Sequence, residues 1–332
     1  MATAAQLKKL FATFKHMRVM VIGDVMVDKY VYGNADRISP EAPVPVIEVR
    51  NAAAHPGGAA NVAMNIRSLG ATPLLFSVIG NDHDAILLED LLTEHKVSAK
   101  HMLRADERIT TSKMRVLARQ HQLLRIDHEM QDALSPETAE QFDAQVAQAL
   151  KRNKPDVVIL EDYDKGVLSA SRIRMIIDLC NQLEIPVVVD PKKAHFFSYH
   201  GCTLFKPNIR ELRDSLSGSP DSLDTPDLKV AVDALHALLP HEITLLTLGE
   251  HGMFLRHHKK SYRVKAHLRS IADVSGAGDT VISVAALCLA AGADAKTLLS
   301  VCNIAGGLVC EQSGVVPVDA AALLKESLRL LV

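Results

Sequence analysis

Short apolar runs alternate with segments of helical periodicity along most of the chain. Five runs rich in Val, Ile and Leu have the length of buried strands, at residues 19–23, 73–80, 156–162, 186–191 and 243–249. Because continuous apolar runs are typical of strands covered on both faces, they predict a mostly parallel sheet between layers of helices. The helical segments are residues 58–69, 82–95, 136–151, 170–183, 226–238, 279–292, 295–311 and 319–331.

Two stretches interrupt this alternation and predict a second, smaller sheet. Residues 27–50 contain two strand-like segments around a proline-rich turn, and residues 109–126 indicate another hairpin. We therefore expect one α/β domain over residues 1–332, with this sheet inserted into it as a lid over a site. Since unpaired strand edges are usually covered, we also expect a homodimer through the lid. The alternative is an antiparallel extension without a functional role.

Composition and charge narrow the class of protein. The 332 residues are 48% hydrophobic, which allows a substantial core, and the net charge of −2 provides no basic field for nucleic acid. The five cysteines lack metal-binding spacing, which favours a reducing compartment. The sequence contains neither a signal peptide nor an apolar run of about 20 residues. It therefore predicts a cytoplasmic protein that binds neither membrane nor nucleic acid.

A turn of small residues near the end of the chain places an acid where a helix begins. Residues 272–283 read ADVSGAGDTVIS, with Gly276, Ala277 and Gly278 directly before Asp279. The first amides of a helix have no intrahelical acceptor and attract anions, so the turn predicts an anion hole. Asp279 would act on the other reactant, as a base that accepts a proton from an attacking hydroxyl. The alternative is that Asp279 only caps its helix.

Polar residues also follow the first predicted strand and open the first helix of the sheet. Asp24 and Asp28 lie beyond the carboxyl end of that strand, the edge at which open α/β sheets bind ligands. Gly57, Gly58 and Asn61 lie at the start of the next helix, where glycines allow a close approach. All five are predicted to contact a sugar substrate. The alternatives are a turn closed by Asp24 and an ordinary helix start at the glycines.

The sequence has no GxxxxGK[ST] phosphate loop and no GxGxxG dinucleotide-binding fingerprint after its first strand. Its motifs instead resemble those of a family of sugar kinases. DVSGAGDTV (273–281) and GGAANVAMN (57–65) resemble the two signature motifs of the PfkB, or ribokinase-like, carbohydrate kinases. The resemblance covers essentially the whole chain, although Val274 and Val281 replace a usual Thr and a common Phe. It implies a ribokinase-like three-layer α/β fold, ATP and Mg²⁺ as cofactors, and Asp279 as the catalytic base beside an anion hole.

Further motifs resemble the nucleotide site of that family. KPNIREL contains an N-x-x-E pair, Asn208 and Glu211, which the resemblance places near Mg²⁺ and its water shell. LTLGEHGMF resembles the nucleotide-binding strand and turn, and Asn303 lies where the family commonly has an Asn beside adenine. Some relatives bind a monovalent cation, which would lie near Asp273 and Gly314 here. The residues implied to bind ATP are Asn208, Thr247, Gly249, Gly252 and Asn303.

Within the family, two stretches resemble the kinases that phosphorylate D-glycero-β-D-manno-heptose 7-phosphate. They are GDVMVDKYVYGNADRISPEAPVPVIEV and EDYDKGVLS. The resemblance implies transfer of the ATP γ-phosphoryl group to the anomeric hydroxyl, which gives the 1,7-bisphosphate for the heptose of the lipopolysaccharide core. Many such kinases are fused to an adenylyltransferase. Because this chain ends at residue 332, soon after the last kinase helix, a stand-alone kinase is expected.

A substrate that already carries a phosphate needs a cationic anchor. Lys113 and Arg115 in the second hairpin and Lys192 after the strand at 186–191 are the main candidates. Arg108 and Lys165 are further cations near the same predicted edge. For each of them the alternative is a solvated surface charge or a salt bridge, and the pattern leaves the choice open.

Three rival functions share parts of this pattern. The first is a PfkB-type kinase for another sugar or sugar phosphate. The second is a catalytically silent regulator that binds sugar or nucleotide, which the intact acid and glycines of the turn disfavour. The third is a dinucleotide-dependent oxidoreductase, which the missing glycine fingerprint disfavours.

Overall fold

Strands and helices alternate along the chain as predicted. The computed structural model describes residues 2–119, 121–216, 222–267, 269–312 and 314–332. The strands are β1 (Arg18–Gly23), β2 (Val25–Ile38), β3 (Pro45–Gly58), β4 (Thr72–Ile79), β5 (Met102–Arg104), β6 (Thr111–Ala118), β7 (His121–His128), β8 (Val157–Glu161), β9 (Val187–Asp190), β10 (Leu204–Phe205), β11 (Ile243–Thr247), β12 (Met253–His257) and β13 (Lys260–Val264). The helices are α1 (Ala4–Phe14), α2 (Ala59–Ser68), α3 (His83–Glu94), α4 (Pro136–Asn153), α5 (Ala170–Gln182), α6 (Ile209–Ser215), α7 (Thr225–Leu238), α8 (Ala277–Ala290), α9 (Ala295–Cys310) and α10 (Ala320–Leu331).

The main sheet is mostly parallel and covered on both faces, as predicted. Within the described residues it has nine strands, in the order β13-β12-β11-β10-β9-β8-β1-β4-β5. The pairings from β5 to β11 are parallel, whereas β12 and β13 add an antiparallel edge. Successive residues of β1 pack into different cores, because strand side chains alternate between the two faces. Val19 and Val21 join α2, α8 and α9, and Met20 and Ile22 join α4, α5 and α7.

The smaller sheet is formed by both stretches that interrupt the alternation. Within the described residues its strand order is β3-β2-β6-β7, with β2 antiparallel to β3 and parallel to β6. Its strands extend beyond the predicted hairpin at 27–50, since β2 begins at Val25 and β3 ends at Gly58. The pairing of Val25 with Gly58 therefore brings the sheet directly to the carboxyl end of β1 and the start of α2.

The sequence pattern did not predict several short elements. These are β5, β10, β12, β13 and α6, of two to seven residues each. Strand β10 is the two-residue segment Leu204–Phe205, which is too short to show a period although both side chains are fully buried. No helix among the described residues combines the length and apolar character that crossing a membrane requires.

Candidate active site

Asp279 lies in the first turn of α8, and its side chain is buried. Its Oδ2 accepts a hydrogen bond from Asn61 Nδ2 at 2.7 Å, and its Oδ1 accepts one from the Tyr163 hydroxyl at 2.8 Å. The N-cap position of α8 belongs to Gly276 instead. The alternative in which Asp279 only caps its helix is therefore wrong, because both oxygens are directed toward other elements.

The surroundings of Asp279 suit a general base. Burial raises the pKa of Asp279 to about 6, although the hydrogen bonds from Asn61 and Tyr163 act in the opposite direction. The Asp190 charge adds to the rise, and Lys192 opposes it. At neutral pH the carboxylate is thus mostly ionised, and its pKa lies nearer the working pH than that of an exposed aspartate.

The glycine turn brings free helix amides next to Asp279. The amides of Gly278 and Asp279 lie in the first turn of α8, where helix geometry provides no intrahelical acceptor. The Ala277 amide donates to the Val274 carbonyl at 3.3 Å, so it is less available than predicted. Gly276 has φ of 76°, and a Cβ there would lie 2.7 Å from Asn61 Nδ2. A glycine is therefore required for the turn to approach Asn61.

Asn61 holds Asp279 in this structure, and its predicted contact with a sugar stays a prediction. Its Nδ2 is directed to Asp279, and its Oδ1 accepts a hydrogen bond from Asn65 Nδ2 at 3.1 Å. Asn65 Oδ1 in turn accepts the Thr280 hydroxyl at 3.0 Å, so these bonds link α2 to α8. Asn65 was missed, although two asparagines four residues apart share one face of a helix.

Asp24 orders the loop after β8, which agrees with the alternative that this residue closes a turn. Its Oδ2 accepts the amides of Tyr163 and Lys165 at 2.8 and 3.1 Å, and its Oδ1 accepts the Val167 amide at 3.1 Å. Backbone amides thus engage both oxygens, and the predicted contact of Asp24 with sugar hydroxyls stays a prediction. Asp24 fixes the loop that carries Tyr163 to Asp279. Tyr163 was not predicted as a site residue.

The other residues near α2 that were predicted to contact a sugar, Asp28, Gly57 and Gly58, all make close contacts within the protein. Asp28 is buried, and its Oδ1 lies 2.5 Å from Arg115 Nη1. A Cβ on Gly57 would lie 2.3 Å from Asp28 Oδ2, and one on Gly58 would lie 2.4 Å from the Asp24 carbonyl oxygen. These glycines let β3 pack closely against β2, and their predicted contact with a sugar stays a prediction.

The predicted anchor cations lie in different places. Lys113 Nζ contacts Glu129 at 2.8 Å and Asp127 at 3.3 Å in the lid. Arg115 pairs with Asp28 and lies over the Tyr30 ring. Lys192 is separate from the lid cations, because it lies 3.0 Å from Glu211 Oε1 and 4.9 Å from the centre of the Tyr163 ring.

A buried carboxylate cluster surrounds Asp279 at the carboxyl ends of β8 and β9. Oxygens of Glu161, Asp190 and Asp279 lie within 4.8 Å of one another, and Lys206 Nζ lies 2.7 Å from Asp190 Oδ2. Among the described residues, neither carboxylate oxygen of Glu161 has a hydrogen-bond partner. Burial and the nearby charges of Asp190 and Asp279 raise the pKa of Glu161 well above its usual range. Such a cluster is stable when Glu161 holds a proton or a cation lies among the carboxylates.

The N-x-x-E pair forms a capping box at the start of α6. Asn208 Oδ1 accepts the Glu211 amide at 2.8 Å, and Glu211 Oε2 accepts the Asn208 amide at 2.8 Å. The remaining oxygen, Oε1, accepts a hydrogen bond from Lys192. The pair is thus fixed by helix capping. Carboxylate oxygens are hard ligands of the kind that Mg²⁺ prefers, and those of Glu161 lack a protein partner among the described residues.

A cavity of about 600 Å³ lies against the glycine turn, a size suited to a small molecule. It brings together every residue predicted to bind ATP, and the turn itself. These lining residues are Asn208, Thr247, Gly249, Gly252, Asn303, Ala277 and Gly278. Met253, Val281 and Gly306 supply much of its apolar wall and were not predicted. Asn303 Nδ2 donates to the Lys265 carbonyl at 3.0 Å, which leaves its Oδ1 as the atom available to a ligand.

Asp273 joins two loops at the position predicted for a monovalent cation. Its Oδ2 accepts the Gly314 amide at 3.1 Å, and its Oδ1 accepts the Ser275 amide at 2.9 Å. Asp273 and Gly314, the two residues predicted to lie near the cation, are therefore in direct contact through a hydrogen bond.

Known proteins resemble the chain in both sequence and fold. The bifunctional protein HldE of Alcanivorax borkumensis is 40% identical over 312 residues, and that of Pseudomonas aeruginosa is 39% identical over 311 residues. The matches cover 94% and 93% of this chain and 63% of each relative, so the chain spans less than two thirds of their length.

Solved structures confirm the ribokinase-like fold. Escherichia coli phosphofructokinase-2 in complex with substrates and products has a TM-score of 0.77 at 18% identity, over 93% of this chain and 99% of that one. Arabidopsis thaliana ribokinase complexed with ribose and ATP has a TM-score of 0.73 at 19% identity, with the same coverage of 93% and 99%. Residues 17–321 match the pfkB family of carbohydrate kinases. The chain therefore belongs to the pfkB carbohydrate kinase family, whose members transfer phosphate to a sugar hydroxyl.

Proposed function

We propose that this kinase transfers the γ-phosphoryl group of ATP to the anomeric hydroxyl of D-glycero-β-D-manno-heptose 7-phosphate. The observation that carries the proposal is the position of Asp279, a buried acid with a pKa of about 6 beside a glycine turn that lines the 600 Å³ cavity. The choice of a heptose phosphate is supported by the HldE relatives and by the stretches at residues 23–49 and 161–169. The 1,7-bisphosphate product would serve lipopolysaccharide core synthesis.

In this mechanism Asp279 accepts the proton of the attacking hydroxyl. Asn61 and Tyr163 each engage one of its oxygens, and each oxygen keeps a lone pair for a substrate hydroxyl. The amides of Gly278 and Asp279 act on the other reactant, where they stabilise negative charge on the transferring group. The two reactants thus meet at one helix terminus, with the base and the anion hole acting on opposite sides of the new bond.

The nucleotide would occupy the cavity lined by Thr247, Gly249, Gly252 and Asn303. Mg²⁺ would be held through its water shell by Glu211 and Asn208, where it would neutralise charge on the ATP phosphates. A monovalent cation near Asp273 and Gly314 is a further part of the proposal. One solved structure with this fold, that of E. coli phosphofructokinase-2, is a complex with potassium. Equal rates in potassium, sodium and tetramethylammonium chloride would contradict that part.

We also propose that the protein acts in the cytoplasm, where ATP is available. We further propose that it forms a homodimer through the lid. Large apolar side chains are exposed on the outer strands of the lid, including Val49 (58%), Leu124 (53%) and Ile126 (49%). Pairing of two lids would cover them and the edge strands β3 and β7. Sedimentation of the wild type as a dimer, and of Leu124→Lys as a monomer, is expected. A monomeric wild type would contradict it.

A substrate panel tests the proposed reaction. ATP consumption is measured with the heptose 7-phosphate, unphosphorylated heptose, fructose 1-phosphate, fructose 6-phosphate and ribose, and phosphorus NMR locates the new phosphate. Preference for the heptose 7-phosphate, with a new signal at the anomeric position, is expected. Preference for another sugar contradicts the substrate assignment, and absence of ATP consumption with every sugar contradicts the activity.

A further inference from the structure

Two lysines from different parts of the fold meet at one carboxylate. Lys113 lies on strand β6 of the lid, and Lys165 lies on the loop after β8 of the main sheet. Their Nζ atoms lie 2.8 and 2.9 Å from the two oxygens of Glu129. Both side chains are largely shielded from solvent, with exposed fractions of 16% and 10%. The two ammonium groups therefore face each other across the junction of lid and main domain.

Positive charge is in excess at this junction. Asp127 also contacts Lys113 at 3.3 Å, but Arg125 donates hydrogen bonds to both of its oxygens. Within the part of the chain that the structure describes, three cations thus share two carboxylates. Burial opposes ionisation of Glu129, but hydrogen bonds from Lys113 and Lys165 hold its pKa at about 2. Partly desolvated ammonium groups with one shared counter-ion favour a further anion.

The other candidate cations are already engaged, two of them by a carboxylate and Arg108 by backbone carbonyls. Arg115 is matched by Asp28 at 2.5 Å, and Lys192 is matched by Glu211 at 3.0 Å. Arg108 donates to the backbone carbonyls of Asp132 and Lys165. A phosphate at any of these places would compete with an existing partner, whereas at Lys113 and Lys165 it would complete the charge balance.

One lysine of the pair lies on the loop that contacts the proposed catalytic base. Tyr163, whose hydroxyl contacts Asp279, precedes Lys165 by two residues on one loop. Asp24 Oδ2 accepts the amides of both residues, which fixes their relative position. The Cα atoms of the two residues therefore lie at most about 7 Å apart. The loop that contacts Asp279 through Tyr163 thus also carries Lys165, one of the two lysines.

We propose that Lys113 and Lys165 bind the phosphate group of a phosphorylated sugar substrate. Glu129 is the counter-ion that holds the two ammonium groups in place before the substrate binds. Each ammonium group has three donor hydrogens, so it can contact Glu129 and a phosphate oxygen together. The inference rests on the proposed function, to which it adds the residues that select a phosphorylated sugar. Since one lysine belongs to the lid, the bound phosphate also joins the lid to the main domain.

Steady-state kinetics of Lys113→Met and Lys165→Met test the proposal with two substrates, the heptose 7-phosphate and the unphosphorylated heptose. Each substitution removes one charged hydrogen bond to phosphate, so KM for the phosphorylated sugar should rise about 10- to 100-fold. KM for the unphosphorylated sugar should be unchanged. Glu129→Gln should raise KM for the phosphorylated sugar much less than either lysine substitution, because the amide oxygen can still accept from a lysine and the phosphate keeps both ammonium groups.

Lys29→Met is the matched control. Lys29 also joins the lid to the main domain, through an ion pair with Asp84 at the start of α3. Its loss should affect both sugars equally. The proposal is overturned if Lys113→Met and Lys165→Met behave like this control, or if Glu129→Gln raises KM as they do, since a purely structural bridge predicts both results. A wild type that phosphorylates only unphosphorylated sugars instead contradicts the proposed function, and the phosphate site with it.

Discussion

Replacing Tyr163 by Phe isolates one hydrogen bond to the proposed catalytic base. The substitution removes the hydroxyl that lies 2.8 Å from Asp279 Oδ1. It keeps the aromatic ring that lies 4.9 Å from the Lys192 ammonium. Asn61 still holds the other carboxylate oxygen of Asp279. The expected effect is therefore a change in the protonation of Asp279 and not a loss of the site.

The size of the effect follows from the bond that is lost. Tyr163 stabilises the charged form of Asp279, so its removal raises the pKa of Asp279 above its value of about 6. A hydrogen bond to a charged group contributes about 1.5 to 3 kcal/mol, and one pKa unit corresponds to about 1.4 kcal/mol. The rise should be about one to two units. At pH 7 a large part of the variant would then hold a proton on Asp279 and be inactive.

The pH dependence of kcat/KM measures this shift, because its acid limb reports the free enzyme's essential base. The limb should lie near pH 6 in the wild type and about one to two units higher in Tyr163→Phe. Tyr199→Phe is the control, since that buried tyrosine donates to Asp162 at 2.6 Å. It should leave the limb in place. An unchanged limb in Tyr163→Phe, or an equal shift in both variants, would refute the reasoning.

Two further substitutions test the turn and the carboxylate cluster. Gly276→Ala places a Cβ 2.7 Å from Asn61 Nδ2 and should lower both kcat and the melting temperature. Gly292→Ala has a similar φ with open space around it, so it should leave kcat unchanged. It should lower the melting temperature only through a loss of about 1–2 kcal/mol in unfolding free energy from left-handed strain. Equal kcat losses in the two variants would contradict this. Burial and the charges of Asp190 and Asp279 raise the pKa of Glu161, so the folded protein loses stability as pH rises above the unfolded pKa of this group, by at most about 1.4 kcal/mol per unit. Glu161→Gln should flatten the pH dependence of the unfolding free energy above pH 5, and an unchanged slope would contradict the raised pKa of Glu161.

Local patterns predicted the elements of the main domain and the position of the acid. Strands such as β1 and β8 are continuous apolar runs, so their sequences alone indicate burial on both faces. The glycines before Asp279 predicted a helix start beside an acid, and the cavity next to them contains all five residues predicted for the nucleotide. These features depend on neighbours in sequence or on motifs of fixed spacing.

Roles that depend on distant partners were not predictable. Asn61 and Asp279 are 218 residues apart, and Asp24 and Tyr163 are 139 apart, so no local pattern shows that these pairs bond. A polar residue at a sheet edge has the same sequence context whether it binds a ligand or orders a loop. The sequence therefore indicated Asp24 and Asn61 as candidates for the substrate, and it did not show their contacts with Tyr163 and Asp279.

The account depends most directly on Asp279 as the base. Asp279→Asn keeps the shape of the side chain but cannot accept the hydroxyl proton. Its kcat with ATP and the heptose 7-phosphate should fall about 10²- to 10⁴-fold. The dissociation constant of the sugar phosphate, from calorimetry without ATP, should change only a few-fold. A variant that keeps near-normal kcat, or that loses turnover only because it no longer binds the sugar, would contradict the central claim.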